Sequence, residues 1–171
     1  MAGRPERGGE RGGDSPLPVG SRLPSLVSRS DIGDVRWRDP SRGATVAVFL
    51  QSSDHDADRH YLDELAAASS DFALWGGRVI VVMPEGSGGD ARSGDGEAAR
   101  SLAVVTEATG EAEHCGVGAG EDAILIADRW GEIYHGARGE SPEALPAAEE
   151  ITNWFVYLAT QCPECGVPDH P

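Results

Sequence analysis

The sequence predicts one α/β domain with a mixed central β-sheet and helices on both faces. Two strand-like segments, 44–50 and 78–83, flank a helical segment. The first is β-branched and apolar on both faces, which is typical of a central parallel strand, and the second is predicted to be a buried strand as well. A strand pair joined by a tight turn follows later in the chain. This alternation of strands and helices, closed by an antiparallel pair, indicates a mixed sheet covered by helices.

The elements before and after the first central strand follow from local patterns. Residues 26–28 and 35–37 flank the turn 31–34, which predicts an N-terminal β-hairpin. After the strand 44–50, a polar turn leads into a helix that should end near Ser70. The apolar face of this helix consists of Tyr61, Leu62, Leu65 and Ala66.

The second half of the domain contains weaker elements and a closing helix. The predicted elements are a third strand (102–105), a helical turn (111–115), a hairpin (123–127 and 132–135) and a last helix (146–161). Pro146 suits the first turn of that last helix. Its predicted buried stripe consists of Ile151, Trp154, Phe155 and Leu158.

Composition divides the 171 residues into three parts. Residues 1–18 are rich in Gly, Arg, Pro and Glu, so they should form a disordered tail. The folded domain is expected over residues 19–161, with an exposed Gly/Ser/Asp-rich loop from 85 to 96. Residues 162–171 form a C-terminal tail that carries two of the three cysteines.

The formal charge of −15 restricts the partners. It argues against nucleic acid and against an anionic membrane surface, because both require local positive potential. No apolar run approaches the roughly 20 residues that span a bilayer, and the N-terminus does not look like a secretory signal. Three cysteines suit a reducing compartment. We therefore expect a cytoplasmic protein.

Several segments resemble the AhpC/TSA peroxiredoxin and redoxin family, which has the thioredoxin-like fold. Val19-Gly20-Ser21-Arg22-Leu23-Pro24 resembles its opening segment. The strand, turn and helix over 46–65 resemble its first core strand, active-site turn and first helix. The segments 123–128 and 131–133 resemble its later hairpin. The resemblance covers residues 19 to about 160 and implies a thioredoxin-like three-layer sandwich.

The family's chemistry is absent from its usual position in this sequence. The resemblance implies a reactive cysteine, often C-x-x-C, in the turn after the first core strand, and those two positions hold His55 and Asp58. Imidazole and carboxylate cannot replace the thiolate that attacks a peroxide or a disulfide. Many members also place a cis-proline before the hairpin strand, where this chain has Glu121-Asp122.

The altered turn, with Asp54, His55 and Asp58 as its notable side chains, permits two interpretations. Its histidines and carboxylates could bind a divalent cation. Alternatively, Asp56 or Asp58 caps the helix that follows and interacts with the helix dipole. Cap preference alone accounts for the aspartates, so we favour capping.

The sequence Cys162-Pro163-Glu164-Cys165-Gly166 is the most specific motif in the chain. As a C-x-x-C dithiol it could catalyse thiol–disulfide exchange with a protein partner, an antioxidant-type activity. With His170 it could instead be part of a zinc site in a non-catalytic binding module, with a fourth ligand from Asp169, the chain terminus, the His55/Asp58 turn or a second subunit. It could also clip the tail to the last helix. These alternatives, and a possible homodimer, stay open at this level.

Three further side chains have simpler predicted roles. Cys115 should be a small, half-buried thiol, because adjacent residues on a helix such as His114 and Cys115 do not face each other. Trp154 is expected in the core. Trp130 lies in a hairpin turn and could mark a binding surface, although we favour core packing.

Overall fold

A seven-stranded mixed sheet forms the centre of the fold. The computed structural model describes residues 18–51, 55–85, 101–106 and 110–161. In chain order the elements are β1 (Val27–Ser30), β2 (Gly33–Arg36), β3 (Thr45–Phe49), α1 (Asp56–Ala67), α2 (Ser69–Leu74), β4 (Arg78–Met83), β5 (Leu102–Thr106), α3 (Glu111–His114), β6 (Asp122–Ala127), β7 (Ile133–Gly139), a 3₁₀ turn (Pro142–Ala144) and α4 (Ala148–Thr160).

The strand order across the sheet is β2-β1-β5-β4-β3-β6-β7. β3 pairs in parallel with β4 and antiparallel with β6, and every residue of β3 is buried. Burial on both faces explains the continuous apolar sequence of this strand. The N-terminal hairpin β1–β2 and the later hairpin β6–β7 are both antiparallel, as predicted. The predicted α/β architecture with a mixed central sheet is confirmed.

Two apolar cores lie on opposite faces of the sheet. One packs α1, α2 and α4 against β3, and it contains Leu65, Phe72 and Phe155. The other lies under the N-terminal segment and α3, and it contains Trp37, which is completely buried. The Trp37 indole N–H donates to Ser28 Oγ at 2.9 Å, so its polar atom is satisfied inside the core.

The helical segments differ from the prediction in two respects. The connection after α1 contains the additional helix α2. The last helix begins at Ala148, so the prediction that Pro146 lies in its first turn is wrong. Pro146 instead precedes the helix, and its carbonyl accepts the Tyr61 hydroxyl proton at 2.7 Å. This bond joins α1 to the start of α4.

The tryptophan predictions are also corrected by packing. Trp154 is only partly buried, and its ring stacks on His135 with centroids 5.3 Å apart. It lies beside the core because Ile151 and Phe155 fill the buried stripe of α4. Trp130 is 51% exposed at the tip of the β6–β7 hairpin, so core packing was the wrong choice there.

Some predictions concern parts of the chain outside the description. Residues 1–17, most of the loop 85–96 and the tail 162–171 are not among the described residues. The domain boundaries therefore stay predictions. Within the described ranges, no helix is both long and apolar enough to cross a membrane.

Candidate functional site

The altered turn lies at the sheet edge where β3 and β4 end and β6 begins. Parallel pairing places Phe49 opposite Val82, and antiparallel pairing places it opposite Ala123. Gln51, the N-terminus of α1 and Asp122 therefore meet at one edge, although 71 positions separate Gln51 from Asp122.

Neither Asp56 nor Asp58 occupies the N-cap position of α1. His55 occupies it with an extended backbone, and the described residues show no side-chain hydrogen bond that caps the helix. Asp56 is fully exposed, and Asp58 lies in the first turn as a buried residue. The prediction that Asp56 or Asp58 acts as the cap is therefore wrong. Asp54 lies outside the described residues.

Asp58 is a buried carboxyl group beside a more exposed imidazole. The residue is 2% exposed, and its Oδ2 atom lies 3.8 Å from Nδ1 of His55. The His55 side chain is 70% exposed. The position in the first turn of α1 favours a negative charge through the helix dipole.

Asp122 is a second buried carboxyl group at the same edge. It is 1% exposed, and its Oδ1 atom accepts the backbone N–H of Gln51 at 2.9 Å. Burial raises the pKa of Asp122 to about 6, and the charge of Asp58 adds to this rise. The Gln51 N–H and the charge of His55 lower the pKa, but they do not cancel the effect of burial.

This arrangement can hold and exchange a proton near neutral pH, but it cannot carry out thiol chemistry. Residues 50–61 contain no cysteine, and no peptide bond among the described residues is cis. No set of three or more His, Cys, Asp or Glu side chains in the described ranges is placed to hold a metal ion. Because Asp54 lies outside the described residues, the interpretation of this turn as a cation site stays a prediction.

The described residues contain one thiol, that of Cys115, and it lies inside the protein. Cys115 is completely buried, so the prediction of a half-buried thiol is wrong. Burial raises the pKa of Cys115 to about 12, and the charge of Glu111 acts in the same direction. Since the thiolate is the reactive form, Cys115 is not a redox centre in the folded protein.

This protection can be measured directly. We expect Cys115 to resist iodoacetamide at pH 8 in the native protein and to react within minutes in concentrated urea. Peptide mass spectrometry would quantify the modified fraction in both conditions. Rapid native alkylation of Cys115 would contradict the buried environment.

Helix α4 ends at the edge of the sheet opposite the turn. Helix α4 starts near Tyr61 and spans about 20 Å over its length. Gln161, which follows α4, lines a small cavity of about 90 Å³ with Gly43, Asp128 and Trp130. Gly43 precedes β3 and Asp128 follows β6, so this is the opposite edge. Cys162, Cys165 and His170 lie outside the described residues.

Comparison with known proteins identifies the fold. No family profile matches the sequence, and no curated protein is detectably similar to it. Solved structures do match. A putative thiol:disulfide interchange protein DsbE from Chlorobium tepidum is 18% identical, with a TM-score of 0.63 over 84% of this chain and 99% of that one. The fold is thioredoxin-like.

Two further structures agree with this thioredoxin-like fold. A peroxiredoxin-like protein from Aquifex aeolicus is 19% identical, with a TM-score of 0.63 over 84% of this chain and 89% of that one. Mycobacterium tuberculosis AhpC is 11% identical, with a TM-score of 0.66 over 88% and 99% of the two chains. These identities establish the fold, and the activities in the names belong to those proteins.

A cavity of about 400 Å³ adjoins the altered turn of the thioredoxin-like domain. Its lining includes Leu50, Gln51, Pro84 and Val117, together with Glu121. Glu121 lies 3.6 Å from Nη1 of Arg138. The altered turn thus borders an open space through Gln51, whose backbone N–H is bound by Asp122.

The contact made by Asp122 at this site is not apparent from the sequence. There the residue stands out only as part of Glu121-Asp122, which replaces the cis-proline that the resemblance implies. The available signal was an acidic residue at the start of the fully apolar run 123–127, which places a carboxyl group at the end of a central strand. The contact with Gln51 depends on sheet pairing, which local sequence does not reveal.

Proposed function

We propose that this chain is a thiol–disulfide oxidoreductase whose dithiol is Cys162/Cys165, displaced from the usual turn. The observation that carries the proposal is the burial of Cys115. The chain has three cysteines, and the one in the domain core is completely buried with a pKa raised to about 12. Exchange chemistry in this chain therefore requires the C-x-x-C pair of the tail.

The exchange itself follows the chemistry of a dithiol. One tail thiolate attacks a sulfur of the substrate disulfide, which forms a mixed disulfide and releases a substrate thiolate. The second tail cysteine, as a thiolate, attacks the mixed disulfide, closes the Cys162–Cys165 bond and releases the second substrate thiol. Two electrons and two protons pass to the substrate, and an external dithiol reductant restores the tail.

Structural neighbours and the local surface support this assignment. Proteins with the same fold include a thiol:disulfide interchange protein and a thiol-disulfide oxidoreductase. The tail follows Gln161, which lies in a cleft with Trp75, Trp130 and Leu158. Exposed aromatic side chains favour contact with a protein partner, so we propose a protein disulfide as the substrate.

The position after α4 should make the exchange slow at neutral pH. The helix dipole is negative at this end and disfavours a thiolate by about 0.3–1 kcal/mol. This penalty raises the thiol pKa by less than one unit, because one pKa unit corresponds to about 1.4 kcal/mol. We therefore expect the rate to rise between pH 7 and 9, as the thiolate fraction increases.

An insulin reduction assay with dithiothreitol tests the proposal. The wild-type protein should accelerate reduction above dithiothreitol alone, whereas Cys162→Ser/Cys165→Ser should fall to the background rate. The matched control is Cys115→Ala, which should keep the activity of the wild type. A wild-type rate equal to the background, or full activity in the double serine variant, would refute this function.

A second candidate is a non-catalytic binding module in which Cys162, Cys165 and His170 hold zinc. It is favoured by the replacement of the turn thiols by His55 and Asp58, together with the C-x2-C-x4-H spacing of the tail. The four residues from Gln161 to Cys165 span at most about 14 Å. That is less than the roughly 20 Å length of α4, which separates Gln161 from the end of the sheet that holds the altered turn. The fourth ligand would therefore come from the tail itself or from a second copy.

Elemental analysis separates the two candidates. Protein purified without chelator should contain no stoichiometric zinc if the tail is a free redox dithiol. Zinc near one equivalent per chain, or per two chains, that disappears in Cys162→Ser/Cys165→Ser would support the binding module instead. Zinc that persists in this variant would exclude the tail as its site.

A further inference from the structure

Arg78 is a buried arginine at the first position of β4. It is 5% exposed, although arginine is rarely buried without a partner. Its Nη2 atom donates to the carbonyl oxygen of Arg36 and to Oγ1 of Thr45, its register partner in β3, at 3.3 Å in the second case. The buried Nε–H has no acceptor among the described residues.

The charge of Arg78 is only weakly compensated. Asp39 acts on it at longer range, and that carboxyl group already accepts hydrogen bonds from Ser41 and lies 3.8 Å from Arg42. Burial, followed by repulsion from Arg42, lowers the pKa of Arg78 to about 10. The guanidinium group therefore stays charged at neutral pH, and a buried charge without a close counter-ion is costly.

A polar cavity of about 330 Å³ opens beside this guanidinium group. Three arginines and two aspartates line it: Arg36, Arg42, Arg78, Asp34 and Asp39. The cavity is thus locally positive in a chain whose formal charge is −15. Its volume falls within the range of small-ligand sites, roughly 300–1,000 Å³.

We propose that this cavity binds a small oxyanion, a phosphate or carboxylate group, with Arg78 as the buried anchor and Arg42 at the rim. An oxyanion supplies the charge and the acceptor lone pairs that the guanidinium group lacks. Arg78 is held in place by Arg36 and Thr45, so its orientation is set before the ligand arrives. The site lies where β3 and β4 begin, away from the altered turn, and is independent of the tail cysteines.

Calorimetric titration of the full chain with inorganic phosphate, and separately with acetate, tests the site at constant ionic strength set with chloride. Wild type should bind one of these probes saturably, with one site per chain. The probe that binds more tightly identifies the ligand as a phosphate or a carboxylate group.

Three variants assign the binding to this cavity. Arg78→Gln should weaken it roughly tenfold to a hundredfold, the range for losing a hydrogen bond to a charged group. Arg42→Ala should weaken it roughly tenfold, and its side chain is 45% exposed, so the fold should tolerate the change. Arg59→Ala is the control, an exposed arginine on α1 at the opposite edge of the sheet, and should bind as wild type does.

The outcomes are decisive even if Arg78→Gln does not fold, because Arg42→Ala then carries the test. Absence of saturable binding of both probes to wild type would overturn the proposal. Equal weakening in Arg42→Ala and Arg59→Ala would also overturn it, since that pattern indicates general charge screening.

Discussion

Replacing Gly77 with alanine is expected to lower the free energy of unfolding by about 1–3 kcal/mol. A Cβ atom at this position would lie 2.6 Å from the ring of Phe155. That ring is completely enclosed and packs edge-on against Phe72, with centroids 5.4 Å apart. Alanine would also restrict the unfolded chain, which stabilises by about 0.4–1 kcal/mol, but the clash is the larger effect.

A double-mutant cycle with Phe155→Ala isolates the cause. Phe155→Ala alone should cost about 3–5 kcal/mol, because it leaves a cavity in the core. In that background the new methyl group of Gly77→Ala has space, so the additional loss should vanish or become a small gain. Urea unfolding followed by tryptophan fluorescence measures all four proteins.

The control is Gly118→Ala, where the new Cβ would meet Glu121 at an ordinary 3.4 Å. It should change the stability by less than about 0.5 kcal/mol. Strictly additive losses in the Gly77/Phe155 cycle would show that the aromatic contact is not the source of the cost.

Asp122→Asn is expected to stabilise the protein above pH 7 and to lose this advantage near pH 4. The pKa of Asp122 is raised from 3.8 to about 6 on folding, mainly by burial. The native state therefore holds the proton more tightly than the unfolded state does. Stability contributed by this group is present below pH 3.8 and is lost as the pH rises through about 6.

The size of the effect follows from the shift. A pKa change of about two units corresponds to about 3 kcal/mol at most, and this figure already includes the repulsion from Asp58. The asparagine carbonyl oxygen can still accept the Gln51 N–H, so the variant keeps the observed 2.9 Å contact. We expect a gain of about 1–3 kcal/mol at pH 8.

Unfolding curves for wild type and Asp122→Asn between pH 4 and 8 check this result. The difference between the two proteins should grow with pH and level off above about pH 7. Asp56→Asn changes a fully exposed carboxylate in the same turn and should show no such trend. A pH-independent difference, or a less stable Asp122→Asn at pH 8, would contradict the raised pKa of Asp122.

Much of the fold could be predicted because its strongest elements depend on local sequence. The strands β3 and β4 are rich in apolar and β-branched residues and fully buried, and the periodic apolar face of α1 needs no knowledge of its partners. The break at Ala68 that separates α1 from α2 was missed, since nothing local to that segment marks it. The predicted start of α4 at Pro146 is too early, because proline is compatible with a first helical turn but does not require one.

The candidate site could be predicted only in part. The sequence located the altered turn at His55 and Asp58 through its position between a strand and a helix. It did not indicate that Asp58 would be buried while Asp56 would be exposed, because both fit the same capping rule. Burial of Asp58 depends on the packing of α1 against the sheet, which local rules do not contain.

The residue pattern establishes the order of the strands and of the main helices, the lack of a cysteine in the altered turn and the C-x-x-C spacing of the tail. Which polar groups lose water depends on how the sheet is assembled. Asp122 meets Gln51, and Arg78 meets Arg36, through pairings of distant segments. The free energy of a charge depends on everything that surrounds it. The burial of Cys115, the raised pKa of Asp122 and the Arg78 Nε–H without an acceptor among the described residues therefore depend on the assembled sheet.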